Sequence, residues 1–207
     1  MVEEFAFDNT EERRKHRQNG TGWVEVIVGS MFSGKSEELI RRLNRATIAR
    51  QRVQVFKPLI DSRYSLEEIA SHSGRKHLSK PVKTSAELRE QVENETQVVG
   101  IDEGQFFDAG IVEVVNTMAN EGKRVIIAGL DQDYKGKPFE PMPQLLCIAE
   151  YITKIHAICV KCGSTANFTQ RTVESEALVE VGAGDKYEAR CRRCFVPHAD
   201  PPTITKG

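Results

Sequence analysis

An eight-residue segment near the amino terminus has the composition of a phosphate-binding loop. Its sequence, Gly29-Ser30-Met31-Phe32-Ser33-Gly34-Lys35-Ser36, fits the pattern G-x-x-x-x-G-K-[ST] at every fixed position. The glycines let the backbone turn tightly and bring its N–H groups onto phosphate oxygens, and a helix that follows adds the positive end of its dipole. Lys35 can neutralise β- and γ-phosphate oxygens, and the Ser36 hydroxyl can bind Mg²⁺. The segment therefore predicts a site for ATP with Mg²⁺.

Two apolar runs end in an aspartate that could complete this magnesium site. Residues 98–101 lead into Asp102, and residues 126–130 lead into Asp131. We favour Asp102, because Glu103 follows it directly and the pair offers two carboxylates with separate roles. Asp102 can hold Mg²⁺ through water, and Glu103 can accept a proton from an attacking hydroxyl. The alternatives are that Glu103 is an ordinary loop carboxylate and that Asp131 only caps a strand end.

Four of the five cysteines occur in two Cys-x-x-Cys pairs, Cys159 with Cys162 and Cys191 with Cys194. Four thiolates in two pairs match a tetrahedral Zn²⁺ site that is closed to chemistry and therefore structural. The 28 residues between the pairs (163–190) exceed the usual spacing of about 15–20, which predicts an extended loop between them. Redox chemistry at one pair is the alternative, but two pairs favour metal. Cys147 is expected to be buried as a small apolar residue.

Strands and helices alternate through the first 130 residues. We predict strands at 24–28, 53–56, 98–101 and 124–128, and helices at 37–50, 85–93 and 110–120. This alternation predicts an α/β fold of the P-loop NTPase type, with a mostly parallel sheet and helices on both faces. Residues 61–80 are rich in Ser, His, Gly and Lys and are predicted to form a long loop.

The pattern changes after about residue 158, where helical periodicity fades. We predict a flexible amino-terminal tail at 1–22, a nucleotide-binding domain at 23–158, a small zinc-held domain at 159–196 and a carboxy-terminal tail at 197–207.

The composition, 39% hydrophobic and 29% charged, is that of a folded soluble protein. A net charge of −1 provides no attraction to nucleic acid or to an anionic membrane. No segment has the roughly 18 apolar residues of a membrane helix, and the first 22 residues lack the apolar core of a secretory signal. We therefore expect a cytoplasmic protein without nucleic-acid or membrane partners. Five arginines between residues 41 and 52 are expected to form a solvated helix face, with a phosphate or partner contact as the alternative.

Four separated motifs together resemble the zinc-containing (type II) thymidine kinases. They are the 29–36 loop with Met31-Phe32-Ser33 inside it, the string from Ile101 to Phe107, Asp61-Ser62-Arg63-Tyr64, and Asp185-Lys186-Tyr187 before the second cysteine pair. The resemblance covers roughly residues 23–196. It implies transfer of the γ-phosphate of ATP to the 5′-hydroxyl of thymidine in deoxynucleotide salvage, with deoxyuridine left open as an acceptor. It also implies a homotetramer and inhibition by the end-product triphosphate.

The resemblance also assigns roles by position. Glu103 would take the proton of the 5′-hydroxyl. Asp102, Gly104, Gln105 and Asp61 would lie beside the triphosphate together with residues 29–36. The zinc-held loop would bind thymine through backbone groups, and an apolar pocket would surround the base. The nucleoside contacts would be Val179, Glu180, Val181, Gly182, Tyr187, Met31, Leu130, Tyr134 and Phe106.

Three other functions stay open from the residues alone. A P-loop ATPase with a zinc ribbon that acts on nucleic acid would explain both motifs and the arginines, although the near-neutral charge argues against it. A GTP-dependent switch is disfavoured, because the sequence has no Asn/Thr-Lys-x-Asp string for guanine. A zinc-stabilised protein that binds ATP without chemistry is the third, and Glu103 distinguishes it from a kinase.

Overall fold

The computed structural model describes residues 20–59, 68–70, 76–173 and 186–197. Its strands are β1 (Trp23–Val28), β2 (Val53–Pro58), β3 (Glu68–Ala70), β4 (Lys76–Leu78), β5 (Lys80–Val82), β6 (Val98–Ile101), β7 (Arg124–Gly129), β8 (Tyr151–Lys154), β9 (Ala157–Ile158), β10 (Thr165–Ala166), β11 (Phe168–Arg171) and β12 (Tyr187–Arg190). Its α-helices are α1 (Lys35–Ile48), α2 (Ser85–Gln91), α3 (Ile111–Asn120) and α4 (Met142–Ile148), and Gly104–Phe106 forms a 3₁₀ turn.

Six strands form one sheet in the order β5-β2-β6-β7-β1-β8, and every pairing in it is parallel. The central strands β1, β6 and β7 are almost entirely buried, which explains their continuous apolar sequences. The carboxyl ends of all six strands lie at one edge of the sheet, where loops can bring distant residues together.

Helices cover both faces of this sheet, as the sequence predicted. On one face, Leu39 and Leu43 of α1 belong to a fully buried cluster with Ile126 of β7. On the other face, helices α2, α3 and α4 contribute to a larger cluster that includes Met118 and Ile127. Burying one such side chain contributes about 1.5–3 kcal/mol to the stability of the folded state. The two clusters therefore hold in place the sheet whose carboxyl edge carries the loops.

A buried ion pair under α1 removes Arg42 from the expected solvated arginine face, whereas the other four arginines of that face are exposed. Arg42 donates to the carboxylate of Glu25 at 2.7 Å, and Glu25 is completely buried within β1. Arg124 of β7 reaches the other oxygen of Glu25, also at 2.7 Å. A buried carboxylate needs such partners because water no longer solvates it. Arg42 therefore joins α1 to the sheet, whereas its neighbour Arg41 is exposed and pairs with Glu38.

The region predicted as a long loop, residues 61–80, contains strands in its described part. β3 and β4 pair with each other in antiparallel register, and β5 adds a parallel strand beside β2 at the edge of the main sheet. The prediction of a structureless loop was therefore wrong for these residues. Helix α4 and edge strand β8 also have no counterpart in the sequence prediction. In the described parts of the chain, no helix is both long and apolar enough to span a membrane.

The cysteine pairs lie in a small unit of short strands, here called the cysteine module (residues 157–173 and 186–197). Within it, β9 pairs with β10 and β11 pairs with β12, all antiparallel. Its buried cluster consists of small side chains, namely Ala157, Cys159, Ala166, Ala189 and Cys191. Such a cluster buries little apolar surface, so the module needs another source of stability.

Candidate active site

The 29–36 loop lies between β1 and α1, at the carboxyl edge of the sheet, and has the conformation of an anion cradle. Gly34 adopts a left-handed backbone (φ 89°) immediately before α1 begins, a conformation that favours glycine. Lys35 Nζ donates to the Ser30 carbonyl oxygen at 2.8 Å. The hydroxyls of Ser30 and Ser33 are buried and have no hydrogen-bond partner among the described residues. These orphaned polar atoms fit a loop that receives the oxygens of a polyphosphate.

The structure brings Ser36 to the carboxylate that the sequence favoured. The Ser36 hydroxyl donates to Asp102 Oδ2 at 3.0 Å. Burial, followed by the negative charge of Glu103, raises the pKa of Asp102 to about 7, although the hydrogen bond from Ser36 acts in the opposite direction. A carboxylate that is this poorly solvated has a strong preference for a nearby cation. Ser36 and Asp102 are therefore suitable oxygen ligands for Mg²⁺, directly or through water.

The cation already present at this edge is Lys35, which is also poorly solvated. Loss of hydration lowers its pKa, while the negative charges of Glu103, Asp102 and Asp131 act in the opposite direction. The negative charges of these three carboxylates thus favour the protonated form of Lys35 and oppose the effect of burial on its pKa. A Mg²⁺ ion that enters with a polyphosphate would add positive charge beside these carboxylates, while Lys35 could pair with the negative phosphate oxygens.

Glu103 is held in an uncommon backbone conformation. Its φ of 53° and ψ of 43° place a non-glycine residue in the left-handed region, a strain that surrounding contacts must maintain. Gln105 Nε2 donates to the Glu103 carboxylate at 2.6 Å, and Gln105 Oε1 accepts from the Leu130 backbone N–H at 2.9 Å. Gln105 therefore fixes the Glu103 side chain against the end of β7.

One strand separates the two halves of this site, which are the phosphate-binding loop and the Asp102–Glu103 pair. β7 lies between β1, which precedes the phosphate-binding loop, and β6, which precedes Asp102. The intervening strand ends at Gly129, where an added Cβ would lie 2.8 Å from Gln105 Oε1. The absence of a side chain at Gly129 lets Gln105 approach.

The second candidate carboxylate, Asp131, has a different partner. Its Oδ2 atom pairs with Lys154 Nζ at 2.7 Å, and its Oδ1 atom has no hydrogen-bond partner among the described residues. Lys154 ends β8, so this ion pair joins the strands on either side of β1. Asp131 thus does more than cap a strand end, and Asp102 is the aspartate that Ser36 contacts.

The four paired cysteines form one cluster, as the sequence predicted. Their Sγ atoms all lie within 4.8 Å of one another, and those of Cys162 and Cys191 are 3.5 Å apart. Zn–S bonds of about 2.3 Å in a tetrahedron require Sγ atoms roughly 3.8 Å apart, so this donor set fits Zn²⁺. All five cysteines are free of disulfides. Cys147, expected to be buried, is exposed on α4, because it lies on the solvent side of that helix.

The cysteine module touches the phosphate-binding loop directly. The Met31 backbone N–H donates to Thr169 Oγ1 of β11 at 3.0 Å. A second contact joins the module to residues 131–139: a Cβ added at Gly136 would lie 3.2 Å from the ring of Phe195, which itself stacks on Phe168 at 4.6 Å. The module therefore supports two separate segments of the site.

Aromatic residues line the space beside these segments. Tyr134 and Tyr187 are both buried, and the guanidinium of Arg171 lies between them, 3.5 Å from the Tyr134 ring centroid and 3.0 Å from the Tyr187 hydroxyl. Phe106 packs edge-to-face on Phe139 with their centroids 5.8 Å apart. Phe106 lies in the 3₁₀ turn after β6, and Tyr134 and Phe139 follow β7, so these rings belong to segments at the carboxyl edge of the sheet.

Comparison with known proteins decides the family. A family model described as thymidine kinase matches residues 22–195. The chain belongs to the thymidine kinase family. This family member is 59% identical over 186 residues to a thymidine kinase of Rhodothermus sp. (strain ITI 518). The aligned residues make up 90% of this chain and 86% of the relative. It is 55% identical over 183 residues to a thymidine kinase of Bdellovibrio bacteriovorus, with 88% and 90% coverage.

This thymidine kinase family member also resembles, weakly, one domain of a solved structure. Domain III of the Thermotoga maritima replication initiation protein DnaA is similar with a TM-score of 0.42 and 17% identity, over 71% of this chain and 62% of that chain. A likeness of this size does not bear on function.

Some residues assigned from the family resemblance lie outside the described residues. They are Asp61 and the four residues of the zinc-held loop, Val179, Glu180, Val181 and Gly182. The remaining residues expected to contact the nucleoside all lie in described segments near the carboxyl edge, namely Met31, Phe106, Leu130, Tyr134 and Tyr187.

Several residues of this thymidine kinase family site were not predicted from the sequence, chiefly Thr169, Arg171, Lys154 and Phe139. Thr169 and Arg171 lie on β11, and Lys154 is the last residue of β8, and neither strand was predicted. Phe139 lies between β7 and α4, where no motif indicated a role.

Proposed function

We propose that the protein transfers the γ-phosphate of ATP to the 5′-hydroxyl of thymidine, giving the monophosphate for deoxynucleotide salvage. The observation that carries the proposal is the Ser36–Asp102 hydrogen bond, which places the phosphate-binding loop against the Asp102–Glu103 pair. In a member of the thymidine kinase family, this arrangement supports phosphoryl transfer to a nucleoside hydroxyl. Deoxyuridine is proposed as a second acceptor.

Binding of ATP is assigned to residues 29–36 with Asp102, Gly104 and Gln105, and to Asp61. Backbone N–H groups of the loop and the amino end of α1 would hold the phosphates, and Lys35 would leave the Ser30 carbonyl to reach them. Mg²⁺, held by Ser36 and Asp102, would neutralise charge on the β- and γ-phosphates.

Glu103 is proposed as the general base. It would accept the 5′-hydroxyl proton while the O5′–phosphorus bond forms and the bond from the γ-phosphorus to the bridging oxygen breaks, releasing ADP. The Gln105 hydrogen bond of 2.6 Å supports this role, because it holds the carboxylate in one orientation. Proton transfer of this kind contributes about 10²–10⁴ in rate.

The base pocket is proposed to consist of Met31, Leu130, Tyr134 and Tyr187, with Phe106 packed against it. Backbone groups of Val179, Glu180, Val181 and Gly182 would bind thymine. An apolar wall suits the 5-methyl group, although one methyl supplies only about 1–3 kcal/mol of discrimination.

Further properties are proposed from the family resemblance. They are a structural Zn²⁺ on the four paired cysteines, a homotetramer, inhibition by the end-product triphosphate and a cytoplasmic location. We also propose the division into a domain at 23–158 and a zinc-held domain at 159–196, with tails at 1–22 and 197–207.

One assay tests the proposal: transfer of labelled phosphate from ATP to each natural nucleoside, with Glu103→Gln as the inactive reference. We expect transfer to thymidine, and to deoxyuridine as the second acceptor, far above transfer to the other nucleosides. ATP hydrolysis that depends on DNA or RNA, without transfer to any nucleoside, would instead establish the nucleic-acid-dependent ATPase.

A further inference from the structure

The guanidinium of Arg171 occupies an unusual place for a charged group. Arg171 is only 3% exposed and ends β11, directly opposite Tyr187 in the pairing with β12. It donates to the Tyr187 hydroxyl at 3.0 Å, and its guanidinium lies 3.5 Å from the Tyr134 ring centroid. One side chain thus contacts two rings that come from segments 53 positions apart, since Tyr134 follows β7 and Tyr187 begins β12.

The same strand also reaches the phosphate-binding loop. Thr169 precedes Arg171 by two residues, so both side chains lie on one side of β11. Thr169 accepts from the Met31 backbone N–H at 3.0 Å. β11 therefore aligns three structures at once: the phosphate-binding loop, the segment that carries Tyr134, and the strand that carries Tyr187.

Packing alone does not account for an arginine here. Burying a guanidinium is costly, and an apolar side chain of similar volume would fill the space without that cost. What an arginine adds is a rigid plane that stacks on one ring while its N–H groups fix the direction of a hydroxyl. That combination determines the distance and the angle between the two tyrosines.

We propose that Arg171 is a positioning residue for the nucleoside: it acts through Tyr134 and Tyr187 and sets the geometry of the base pocket. This inference rests on the proposed function, in which both tyrosines contact the nucleoside. It assigns to Arg171 no contact with the reacting atoms. Its loss should therefore weaken thymidine binding and leave the chemical step and ATP binding nearly intact.

The experiment compares Arg171→Met, Arg171→Lys and Tyr187→Phe in the full-length chain. We expect Arg171→Met to raise the KM for thymidine about tenfold or more, with kcat and the KM for ATP within about twofold of the parent. Arg171→Lys keeps the charge but not the plane, so its effect should be intermediate. Tyr187→Phe removes only the hydroxyl. It should raise the KM for thymidine less when it is combined with Arg171→Met than when it is made alone.

The matched control is Arg124→Lys. Arg124 is also a nearly buried arginine beside an aromatic ring, 5.9 Å from Trp23, but it begins β7 at the opposite end of the sheet. We expect this variant to leave both KM values unchanged.

Two results would overturn the inference in an active parent protein. One is an unchanged KM for thymidine in Arg171→Met with full zinc content. The other is loss of zinc or of soluble protein in both Arg171 variants, because Arg171 would then be required for folding alone. A parent protein that transfers no phosphate to thymidine would instead refute the proposed function.

Discussion

Ser36 and Asp102 lie 66 positions apart in the chain, yet the serine hydroxyl is 3.0 Å from the aspartate Oδ2 atom. The contact passes over the end of β7, which separates the strands that lead to the two residues. It joins the phosphate-binding loop to the carboxylates that, in our proposal, bind Mg²⁺ and take the proton.

Asp102 should favour magnesium binding at the expense of the stability of the metal-free protein. Its folded-state pKa of about 7 exceeds the ordinary value of 3.8. Between these values the folded state binds more protons than the unfolded state, so this residue lowers the free energy of unfolding as pH rises from 4 to 7. Asp102→Asn should therefore stabilise the metal-free protein by about 2 kcal/mol at pH 7 and by much less at pH 4.

Urea unfolding of both proteins at pH 4 to 7, in EDTA and without nucleotide, measures this difference. The same variant should lose phosphoryl transfer and the stabilisation that Mg²⁺-ATP gives the parent. A stability difference that shrinks as pH rises would show that the Asp102 pKa is not raised in the folded protein.

Glu103→Gln should lower kcat by about 10²–10⁴, because an amide cannot accept the proton of the attacking hydroxyl. Both KM values should change little, since Gln can still accept the hydrogen bond from Gln105. Steady-state kinetics with ATP and thymidine measure this. Glu113→Gln, an exposed change on α3, is the control for loss of one negative charge. Retained transfer by Glu103→Gln would remove this residue from the mechanism.

Cys159→Ser should remove zinc and unfold the cysteine module, whose core of small side chains has little apolar surface to stabilise it. We expect about one zinc per chain in the parent and much less in the variant, with thymidine binding abolished. Metal analysis and calorimetric titration with thymidine test this. Cys147→Ser should match the parent, because Cys147 is exposed on α4 outside the cluster. Parent protein purified without zinc would refute the metal site.

Thr169→Val should lower the free energy of unfolding by about 1–3 kcal/mol, because it leaves the backbone N–H of Met31 without its acceptor. Valine keeps the shape of threonine, so the loss measures the hydrogen bond. Thr169→Ser retains the hydroxyl and should recover most of the stability. Chemical denaturation of the three proteins measures the effect, and equal losses in both variants would indicate a packing defect instead.

The sequence was most informative where chemistry requires a local pattern. Residues 29–36 must be contiguous to wrap a phosphate, and each cysteine pair needs its two-residue spacing, so both could be predicted without a fold. Buried strands such as β1, β6 and β7 were also predictable, because they are rich in β-branched apolar residues, apart from Glu25 in β1 and Arg124 at the start of β7. Helices α1 and α3 followed from their apolar faces.

Other features could not be predicted, because their partners are distant in the sequence. Arg42 looked like part of a solvated surface until the fold placed Glu25 beneath it. β5 and β8 are short edge strands of mixed composition, and only their pairing with β2 and β1 makes them strands.

The phosphate-binding loop, the neighbouring pair of carboxylates, the two cysteine pairs and the family motifs can all be read from the printed sequence. The folded chain was needed to show that Ser36 contacts Asp102 whereas Asp131 pairs with Lys154, and that Thr169 and Arg171 join the cysteine module to the site. This difference arises because residue types and short spacings are local properties. Strand order and the packing of loops at the sheet edge depend on contacts throughout the chain.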